Sequence, residues 1–495
     1  MRRLTAPVIT GALGALAFPP FELGLVALVA PVPLLVHWRG LSPKRAAADG
    51  FVAGTVFFGV VVVWTWYFGV VAYFPFVAVL AASWALAGAL ISLAARRSVS
   101  GPLVTAAVWT LVEALRGRWP FGGFSWGELG YSFHDIPLAR SVAAWGGVLF
   151  VSFLAILVAA SLAEAYATRV GEWRGALRSL AGVVGVVVVV AGAHLGLPDL
   201  KPAGSLRVAI VQGNDLNRRL TSEELAERYL PRSHFELADG LEGPLDLVIL
   251  PESSLDEDPR IDPFLESELA RIARRLEAPV LANASVEVDD GERLENTNFL
   301  YDQRGRLVGT YVKQHLVPYG EYVPGRRFLE KIVPQLDQIP RDHVPGDVRR
   351  TFRVNGLGLA NLICFESAFT EIARAYADDG ANVLIVSTNN RSFRRSANTD
   401  QHLAIGQMRA AETGRPLVQA SISGKSAFVD HRGDVVATTD LFERTTLVRT
   451  VQATTGRTPY VVLGDWILVA SALLLVASGA FVVMRGRFAR SGRHS

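Results

Sequence analysis

This chain has almost no cysteine, since Cys364 is the one thiol in 495 residues. A single thiol cannot close a disulfide within the chain, and it cannot build a thiolate metal cluster. Cys364 ends the apolar run LANLIC, which predicts a buried strand, and the polar residues after it predict a turn. The sulfur is therefore expected at the end of a strand, where it is either an inert core group or a reactive nucleophile.

Several signatures of other enzyme classes are absent as well. The nine histidines form no HExxH motif, and residues 200–460 contain no P-loop, no His–Asp–Ser motif and no zinc-ligand spacing. We therefore expect neither a metal nor a cofactor. The 49 basic residues exceed the 46 acidic residues by a net charge of +3, which is too small an excess to indicate a nucleic-acid partner.

Apolar residues are abundant but unevenly distributed. Half of all residues are hydrophobic, and the mean hydropathy is positive, which is unusual for a soluble enzyme. They concentrate in the first 200 positions and again near 461–484. This pattern predicts a membrane protein that carries one globular domain. We expect an N-terminal transmembrane region at 1–200, a catalytic domain at 201–458, and a C-terminal helix with a basic tail at 459–495.

The apolar runs predict eight membrane spans. Several are shorter than the ~20 residues that a straight helix needs, and Pro31 and Pro33 indicate a bent or re-entrant second span. The first run resembles a signal peptide, but we expect it to be retained because more spans follow directly. The predicted spans are 6–20, 23–38, 51–70, 72–95, 102–116, 142–165, 178–197 and 461–484.

Basic residues predict the orientation of these spans. Cytoplasmic loops are enriched in Lys and Arg, and eight spans place the basic stretches on one side: the N-terminus, 38–45, 95–98, 168–178 and 485–493. The catalytic domain then faces outward, on the extracytoplasmic side of the plasma membrane. The loop 117–137 also faces outward and is rich in aromatic residues and glycine. It is either an interfacial aromatic belt or part of a lipid entrance.

Residues 205–455 alternate between strand-like and helix-like segments. The segment FLESELARIARRLEA places Leu265, Leu269, Ile272 and Leu276 at helical spacing. Another helix, capped by Ser222, is expected in SEELAERYLPRSHFELADG. The fold class is therefore predicted to be an α+β sandwich, with sheets covered by helices.

Three residues with chemical capacity lie at or just after the ends of apolar runs: Glu252, Lys313 and Cys364. A carboxylate can accept the thiol proton and return it to a leaving group. A lysine ammonium can favour the thiolate and stabilise an oxyanion, and the backbone N–H of Phe365 is a candidate second donor. Taken singly, each has a plainer interpretation: Glu252 as a solvated turn residue, and Lys313 as a surface lysine. His315, two residues after Lys313, is expected to be structural.

At these residues the chain resembles a known family. The Glu in LPES, the Lys in YVKQHLVPYGEYVP and the Cys in ICFES match the Glu–Lys–Cys triad of the nitrilase superfamily. Further segments resemble the membrane-embedded apolipoprotein N-acyltransferases, with a likeness to actinobacterial members: ALAFPPFELG at 15–24, WTLVEALRG at 109–117 and GFSWGELGYS at 123–132. The resemblance covers nearly the whole chain.

The resemblance implies an αββα sandwich and a ping-pong acyl transfer. Cys364 would take an acyl chain from a phospholipid and pass it to the α-amine of a diacylglyceryl apolipoprotein. Glu252 would act as general base and acid, and Lys313 would stabilise the oxyanion. Glu321 and Glu366 would support the triad. The implied partners are the lipid bilayer, the phospholipid donor and the apolipoprotein acceptor, and a monomer is expected.

The chain departs from the family pattern at Ser125, where the family often has a proline, and more importantly in two stretches. RSFRRSANTDQHL after STNN replaces a common Trp-Phe-Gly run, and ASISGKSAF lacks a common Asn-Asn-Gly-like string. These stretches, 390–400 and 419–428, put the substrate preference in doubt but do not touch the triad. Two other functions stay open: a membrane-tethered amidase that hydrolyses a C–N bond, and a non-catalytic scaffold.

Overall fold

The computed structural model describes residues 4–97, 99, 101–168, 173–216, 220–330, 336 and 339–491. It divides into two compact units, Met1–Leu197 with Leu463–Ser495, and Pro198–Val462. The basic stretches predicted at 95–98, 168–178 and 485–493, which carry the orientation argument, lie partly outside the described residues.

The first unit is helical. Gly50 on its third helix is required by close packing, because an added Cβ would lie 2.4 Å from the carbonyl oxygen of Trp84 on the fourth. Single 3₁₀ segments lie at Gly24–Leu28, Val63–Phe68 and Leu129–Phe133. The helices are α1 Thr5–Leu16, α2 Val32–His37, α3 Pro43–Val61, α4 Val70–Arg96, α5 Pro102–Arg116, α6 Pro137–Arg140, α7 Ala143–Thr168, α8 Trp173–Leu195 and α16 Trp466–Ser491.

Two helices in the described part of the chain are long and apolar enough to cross a membrane, Val70–Arg96 and Ala143–Ala167. The eight-span count therefore stays a prediction. The second predicted span is broken into a 3₁₀ segment and the six-residue α2 around Pro31 and Pro33. The α-helix in the third predicted span ends at Val61. Shorter apolar helices lie at Thr5–Leu16, Gly24–His37, Leu180–Leu195 and Trp466–Val482.

The aromatic loop at 117–137 is fixed to α5. The buried Arg116 side chain donates from Nη1 to the carbonyl oxygens of Phe124 and Trp126, at 2.7 and 2.6 Å. Glu113 Oε1, one turn earlier, accepts the N–H of Leu129 at 3.0 Å. The loop is thus a packed part of the helical unit.

The second unit contains two six-stranded sheets, with strand orders β12-β1-β2-β3-β4-β5 and β11-β10-β9-β8-β7-β6. The strands β1–β3 are parallel, as are β7–β9. The strands are β1 Lys201–Gln212, β2 Leu247–Ile249, β3 Val280–Val288, β4 Arg293–Tyr301, β5 Leu307–Val312, β6 Thr351–Val354, β7 Leu357–Ile363, β8 Val383–Thr388, β9 Leu417–Ser421, β10 Ala427–Val429, β11 Val435–Thr438 and β12 Thr445–Thr455.

The two sheets pack face to face through one apolar core, which includes Ile210 and Ile249 from the first sheet and Ile363 and Ile385 from the second. A second core lies between the first sheet and its covering helices. The predicted sandwich of sheets covered by helices is therefore confirmed. The helices of this unit are α9 Ser222–Ala226, α10 Tyr229–Asp239, α11 Pro263–Leu276, α12 Arg326–Leu329, α13 Thr370–Asp378, α14 Asn398–Thr413 and, reaching the unit boundary, α15 Pro459–Leu463.

Local sequence signals account for some of these helices and miss one cap. The four apolar residues predicted to face the core from α11 are all buried, and Asp262 caps the helix by accepting the N–H of Leu265 at 2.9 Å. The predicted cap Ser222 was wrong by one residue. Thr221 is the N-cap, and its hydroxyl accepts the N–H of Glu224 at 3.1 Å in a capping box.

Candidate active site

The site lies where strands of both sheets end. In the first sheet, β2 and β5 point the same way, because β2 is parallel to β3 and two antiparallel pairings lead from β3 to β5. Glu252 follows β2 and Lys313 follows β5 directly. In the second sheet, Cys364 follows β7 and Asn389 follows the parallel β8. Strand direction therefore brings these segments to one edge of the sandwich.

Glu252 is the hub of the hydrogen bonds at this edge. Its Oε1 accepts the Asn296 side-chain N–H at 2.7 Å and lies 3.5 Å from Lys313 Nζ. Its Oε2 accepts the backbone N–H of Asn389 at 2.6 Å. The side chain is only 5% exposed. Glu252 is thus a buried carboxylate that joins the two sheets, rather than a solvated turn residue.

Lys313 is fully enclosed and paired with two carboxylates. It is 1% exposed, and its Nζ lies 2.9 Å from Glu321 Oε1 as well as near Glu252. Burial alone lowers the pKa of Lys313, but Glu321 and then Glu252 outweigh it and raise the pKa above its ordinary value. Lys313 is therefore a fixed positive charge in the site, and the surface-lysine interpretation was wrong.

Asparagines hold these charged groups in place. Asn296 donates to Glu321 Oε1 at 3.0 Å as well as to Glu252. Its own side-chain oxygen, Oδ1, accepts a side-chain N–H of Asn283 at 2.8 Å. Asn283 Oδ1 in turn accepts the N–H of Ser253 at 2.8 Å, directly after Glu252. Each carboxylate orientation is thus set by a buried amide, which is the kind of support that precise catalytic geometry needs.

Cys364 has a strained backbone. Its φ is +51°, in the left-handed region that residues with a Cβ rarely adopt. It begins a short 3₁₀ segment, Cys364–Ala368, and the next α-helix starts at Thr370. Strain of this kind persists where the surrounding structure enforces it, often at functional sites.

The thiol of Cys364 is protonated at rest. Burial and then the negative charge of Glu252 raise the pKa of Cys364 to about 12, while Lys313 opposes this rise. Cys364 is therefore an uncharged thiol with the carboxylate of Glu252 nearby.

Glu366, the other glutamate implied by the resemblance, has a bridging position. Its Oε2 accepts the N–H of Ile363 at 2.7 Å, and its Oε1 accepts from Tyr311 Oη at 2.8 Å and from the N–H groups of Gln314 and His315 at 2.7 and 3.2 Å. Burial raises its pKa to about 7 against the effect of these donors. Glu366 therefore ties the end of β7 to the segment that follows β5.

His402 is a site residue that the sequence analysis missed. The ring is 1% exposed, and its Nε2 lies 3.2 Å from the carbonyl oxygen of Cys364 and 2.7 Å from Ser367 Oγ. Burial lowers its pKa to about 4, so the ring is neutral. With the proton on Nε2, it donates to the Cys364 carbonyl and supports the left-handed backbone there. No local motif marks it.

Two other predicted residues lie beside the site. Phe365 follows Cys364, and its ring packs edge-on against Phe369 at 5.0 Å between centroids. Its predicted role as a backbone oxyanion donor stays a prediction. His315 packs against the same ring at 4.6 Å, and burial lowers its pKa.

Comparison with known proteins places both units. Residues 10–161 match the family model described as apolipoprotein N-acyltransferase N-terminal domain, and residues 207–460 match the carbon-nitrogen hydrolase model. The apolipoprotein N-acyltransferase of Vibrio vulnificus is 29% identical over 503 residues, which cover 94% of each chain. That of Methylococcus capsulatus is 33% identical over 491 residues, covering 94% of this chain and 93% of the relative. An amidase from Nesterenkonia sp. aligns at a TM-score of 0.38 with 20% identity, over 52% of this chain and 93% of that one.

Proposed function

This chain belongs to the apolipoprotein N-acyltransferase family and N-acylates apolipoproteins, and we propose that Cys364 carries the acyl chain as a thioester between a phospholipid donor and the lipoprotein amine. The observation that supports this most is the contact of Glu252 with both Lys313 and the segment after β8, next to a strained cysteine. A base, a fixed cation and a nucleophile are the groups that acyl transfer requires.

In the first half-reaction the sulfur of Cys364 attacks an ester carbonyl of the donor, and the thiol proton passes to Glu252. The carbonyl oxygen becomes an oxyanion, which the ammonium of Lys313 stabilises. Collapse of this intermediate breaks the ester bond and expels the lysophospholipid alkoxide. That alkoxide takes the proton back from Glu252, so a lysophospholipid leaves and an acyl-thioester remains.

In the second half-reaction the α-amine of a diacylglyceryl-cysteine attacks the thioester carbonyl. Glu252 accepts a proton from the amine, and Lys313 again faces the oxyanion. The C–S bond breaks as the amide forms, and the proton held by Glu252 returns to the sulfur of Cys364. Glu321 orients Lys313 through the 2.9 Å contact, and Glu366 fixes the backbone on either side of the site.

We further propose that the helical unit spans the membrane several times and that the catalytic unit is extracytoplasmic. The two long apolar helices support insertion in a membrane. The basic residues of the sequence favour the outward orientation of the catalytic unit. A reporter fused after Gly204 checks this, because an extracytoplasmic signal is expected and a cytoplasmic signal contradicts the topology.

The chemistry is tested with the purified full chain and a phospholipid of one acyl composition, without an amine acceptor. Intact mass should show one acyl adduct on Cys364, and a synthetic diacylglyceryl lipopeptide should discharge it as an N-acyl product. Cys364→Ala and Cys364→Ser should show neither event. Transfer by the alanine variant would refute the mechanism. An adduct discharged only by water would favour the amidase, and no adduct with any lipid would favour the scaffold.

A further inference from the structure

One of the two stretches named in the sequence analysis, 390–400, is strongly basic. Residues 391–395, read RSFRR and here called the arginine segment, contain Arg391, which is half-buried, and Arg394 and Arg395, which are exposed. Nothing in the proposed acyl-transfer chemistry uses these side chains. Their position beside the site gives them a further role, and the argument for it rests on the proposed function.

The arginine segment begins at the catalytic carboxylate. The backbone N–H of Asn389 donates to Glu252 Oε2 at 2.6 Å, and Asn389 Oδ1 accepts the N–H of Arg391 at 3.1 Å. Since successive Cα atoms are about 3.8 Å apart, the Cα atom of Arg391 lies within about 8 Å of that of Asn389. The segment is therefore part of the wall of the site.

The same segment is held by both divergent stretches of the sequence. The buried Asn390 side chain donates to Asn398 Oδ1 at 2.9 Å, and its Oδ1 accepts from Ser421 Oγ at 3.3 Å. Lys425 Nζ lies 2.5 Å from Asp400 Oδ1. The two stretches thus form one hydrogen-bonded structure, and the arginines are presented from a loop that is fixed at both ends.

Two of the guanidinium groups contact side chains from other parts of the catalytic unit. Arg391 Nε lies 3.2 Å from Asp215 Oδ1, and the Cζ atom of Arg395 lies 5.4 Å from the ring centroid of Phe442. Ser423 links Asp215 and Phe442, the two residues that these arginines contact. Its hydroxyl donates to the backbone carbonyl of Asp215 at 2.7 Å, and its own carbonyl accepts the N–H of Phe442 at 2.8 Å. The positive charges are therefore grouped.

The charge of this group opposes that of the catalytic residues. The two negative charges of Glu252 and Glu321 outnumber the one positive charge of Lys313, and the thiol is neutral. The catalytic groups alone therefore repel an anion. In the wall beside them, residues 391–395 carry three positive charges and no negative charge, and Arg391 is paired with Asp215. An anionic group that enters next to the nucleophile therefore finds its counter-charge in the arginine segment.

We propose that the arginine segment binds the phosphodiester head group of the lipid acyl donor. Arginine suits this role because its planar guanidinium donates two parallel hydrogen bonds to phosphate oxygens. In a glycerophospholipid only the glycerol backbone separates the phosphate from the acyl esters. A head group held by residues 391–395 therefore places an ester beside Cys364, and the segment selects donors that carry phosphate.

The test compares two double variants that lose the same charge. Arg394→Gln/Arg395→Gln removes the two exposed arginines of the segment. The control, Arg304→Gln/Arg432→Gln, removes two exposed arginines from hairpin turns, which lie at the ends of β5 and β10 that point away from the site. Acylation of Cys364 is followed by intact mass against the mole fraction of phosphatidylglycerol, phosphatidylethanolamine or diacylglycerol with identical acyl chains. The first variant should raise the apparent KM for both phospholipids at least fivefold and leave diacylglycerol unchanged. The control should match wild type.

Each other outcome has a defined meaning. An unchanged apparent KM for the phospholipids overturns the head-group site, and so does an equal rise in the apparent KM for diacylglycerol. Inhibition of wild type by inorganic phosphate at concentrations where glycerophosphoglycerol does not inhibit would assign the segment to free phosphate and overturn it too. Partial recovery by Arg394→Lys/Arg395→Lys supports it. A wild-type chain that forms no adduct with any donor refutes the proposed function itself, which separates the two failures.

Discussion

Glu252→Gln should make Cys364 more reactive and the enzyme less active. The substitution keeps the size of the side chain but removes the charge that, after burial, most raises the pKa of Cys364. It also leaves Lys313 with one carboxylate partner instead of two, so the positive charge of Lys313 acts more strongly on the sulfur. The rate of alkylation of Cys364 should therefore rise while the rate of transfer falls. Because unfolding would also expose the thiol and speed its alkylation, the thermal midpoint of the variant must match that of wild type.

The expected magnitude follows from the pKa of about 12 for the Cys364 thiol. At pH 8 roughly one thiol in ten thousand is then ionised, and each unit by which the pKa falls gives about tenfold more thiolate. Because a neighbouring like charge changes a pKa by roughly one unit or more, alkylation of Glu252→Gln by iodoacetamide at pH 8 should be at least about tenfold faster. N-acyl transfer should fall by about 10²- to 10⁴-fold, since the general base is lost.

The assay is intact-mass alkylation over pH 7 to 10, beside transfer to a lipopeptide acceptor. Glu266→Gln serves as the control, because this glutamate is exposed on α11, and both of its rates should match wild type. Alkylation of Glu252→Gln at the wild-type rate would refute the electrostatic coupling between Glu252 and the sulfur. Unimpaired transfer would refute the role of Glu252 as the base.

Two further predictions concern the residues that support the site. Glu366→Gln should lower the free energy of unfolding by about 1–3 kcal/mol, because the amide nitrogen of Gln cannot accept the hydrogen bonds that one of the two carboxyl oxygens accepts. Since its pKa is raised to about 7, the carboxyl stabilises the fold most below its unfolded pKa and loses this contribution as pH rises through 7. The thermal-midpoint gap between wild type and Glu366→Gln should therefore narrow toward pH 8, and a widening gap would contradict this. His402→Phe removes the donor to the Cys364 carbonyl and should slow thioester formation about tenfold with an unchanged KM for the donor, and an unchanged rate would exclude a positioning role.

The features that were predicted correctly from the sequence are those that depend on residues close together in the chain. The spacing of Leu265, Leu269, Ile272 and Leu276 is a local property, so α11 was predicted correctly. The positions of Glu252, Lys313 and Cys364 after apolar runs are local as well. Thr221 and Ser222 are adjacent hydroxyl residues with similar capping preferences, so the choice between them required the backbone geometry.

The remaining features depend on contacts between distant parts of the chain. Asn296 lies 44 residues from Glu252, and Asn389 lies 137 residues from it, yet both donate to its carboxylate. His402 lies 38 residues from Cys364. No periodicity or short motif records such a pairing. The eight-span count stays a prediction for a different reason: hydropathy measures composition, whereas the helix breaks near Pro31 and Val61 are set by packing and backbone geometry.

A high thiol pKa has consequences for both halves of the proposed reaction. In the first, it keeps the resting sulfur neutral and thereby poorly reactive toward oxidants and adventitious electrophiles. In the second, the sulfur of Cys364 is the leaving group, and a thiol of high pKa leaves slowly unless a proton or a positive charge meets it. Lys313 supplies the charge, and Glu252 supplies the proton only after it has taken one from the attacking group. Protonation of the sulfur is thereby tied to attack by a nucleophile that gives up a proton to Glu252.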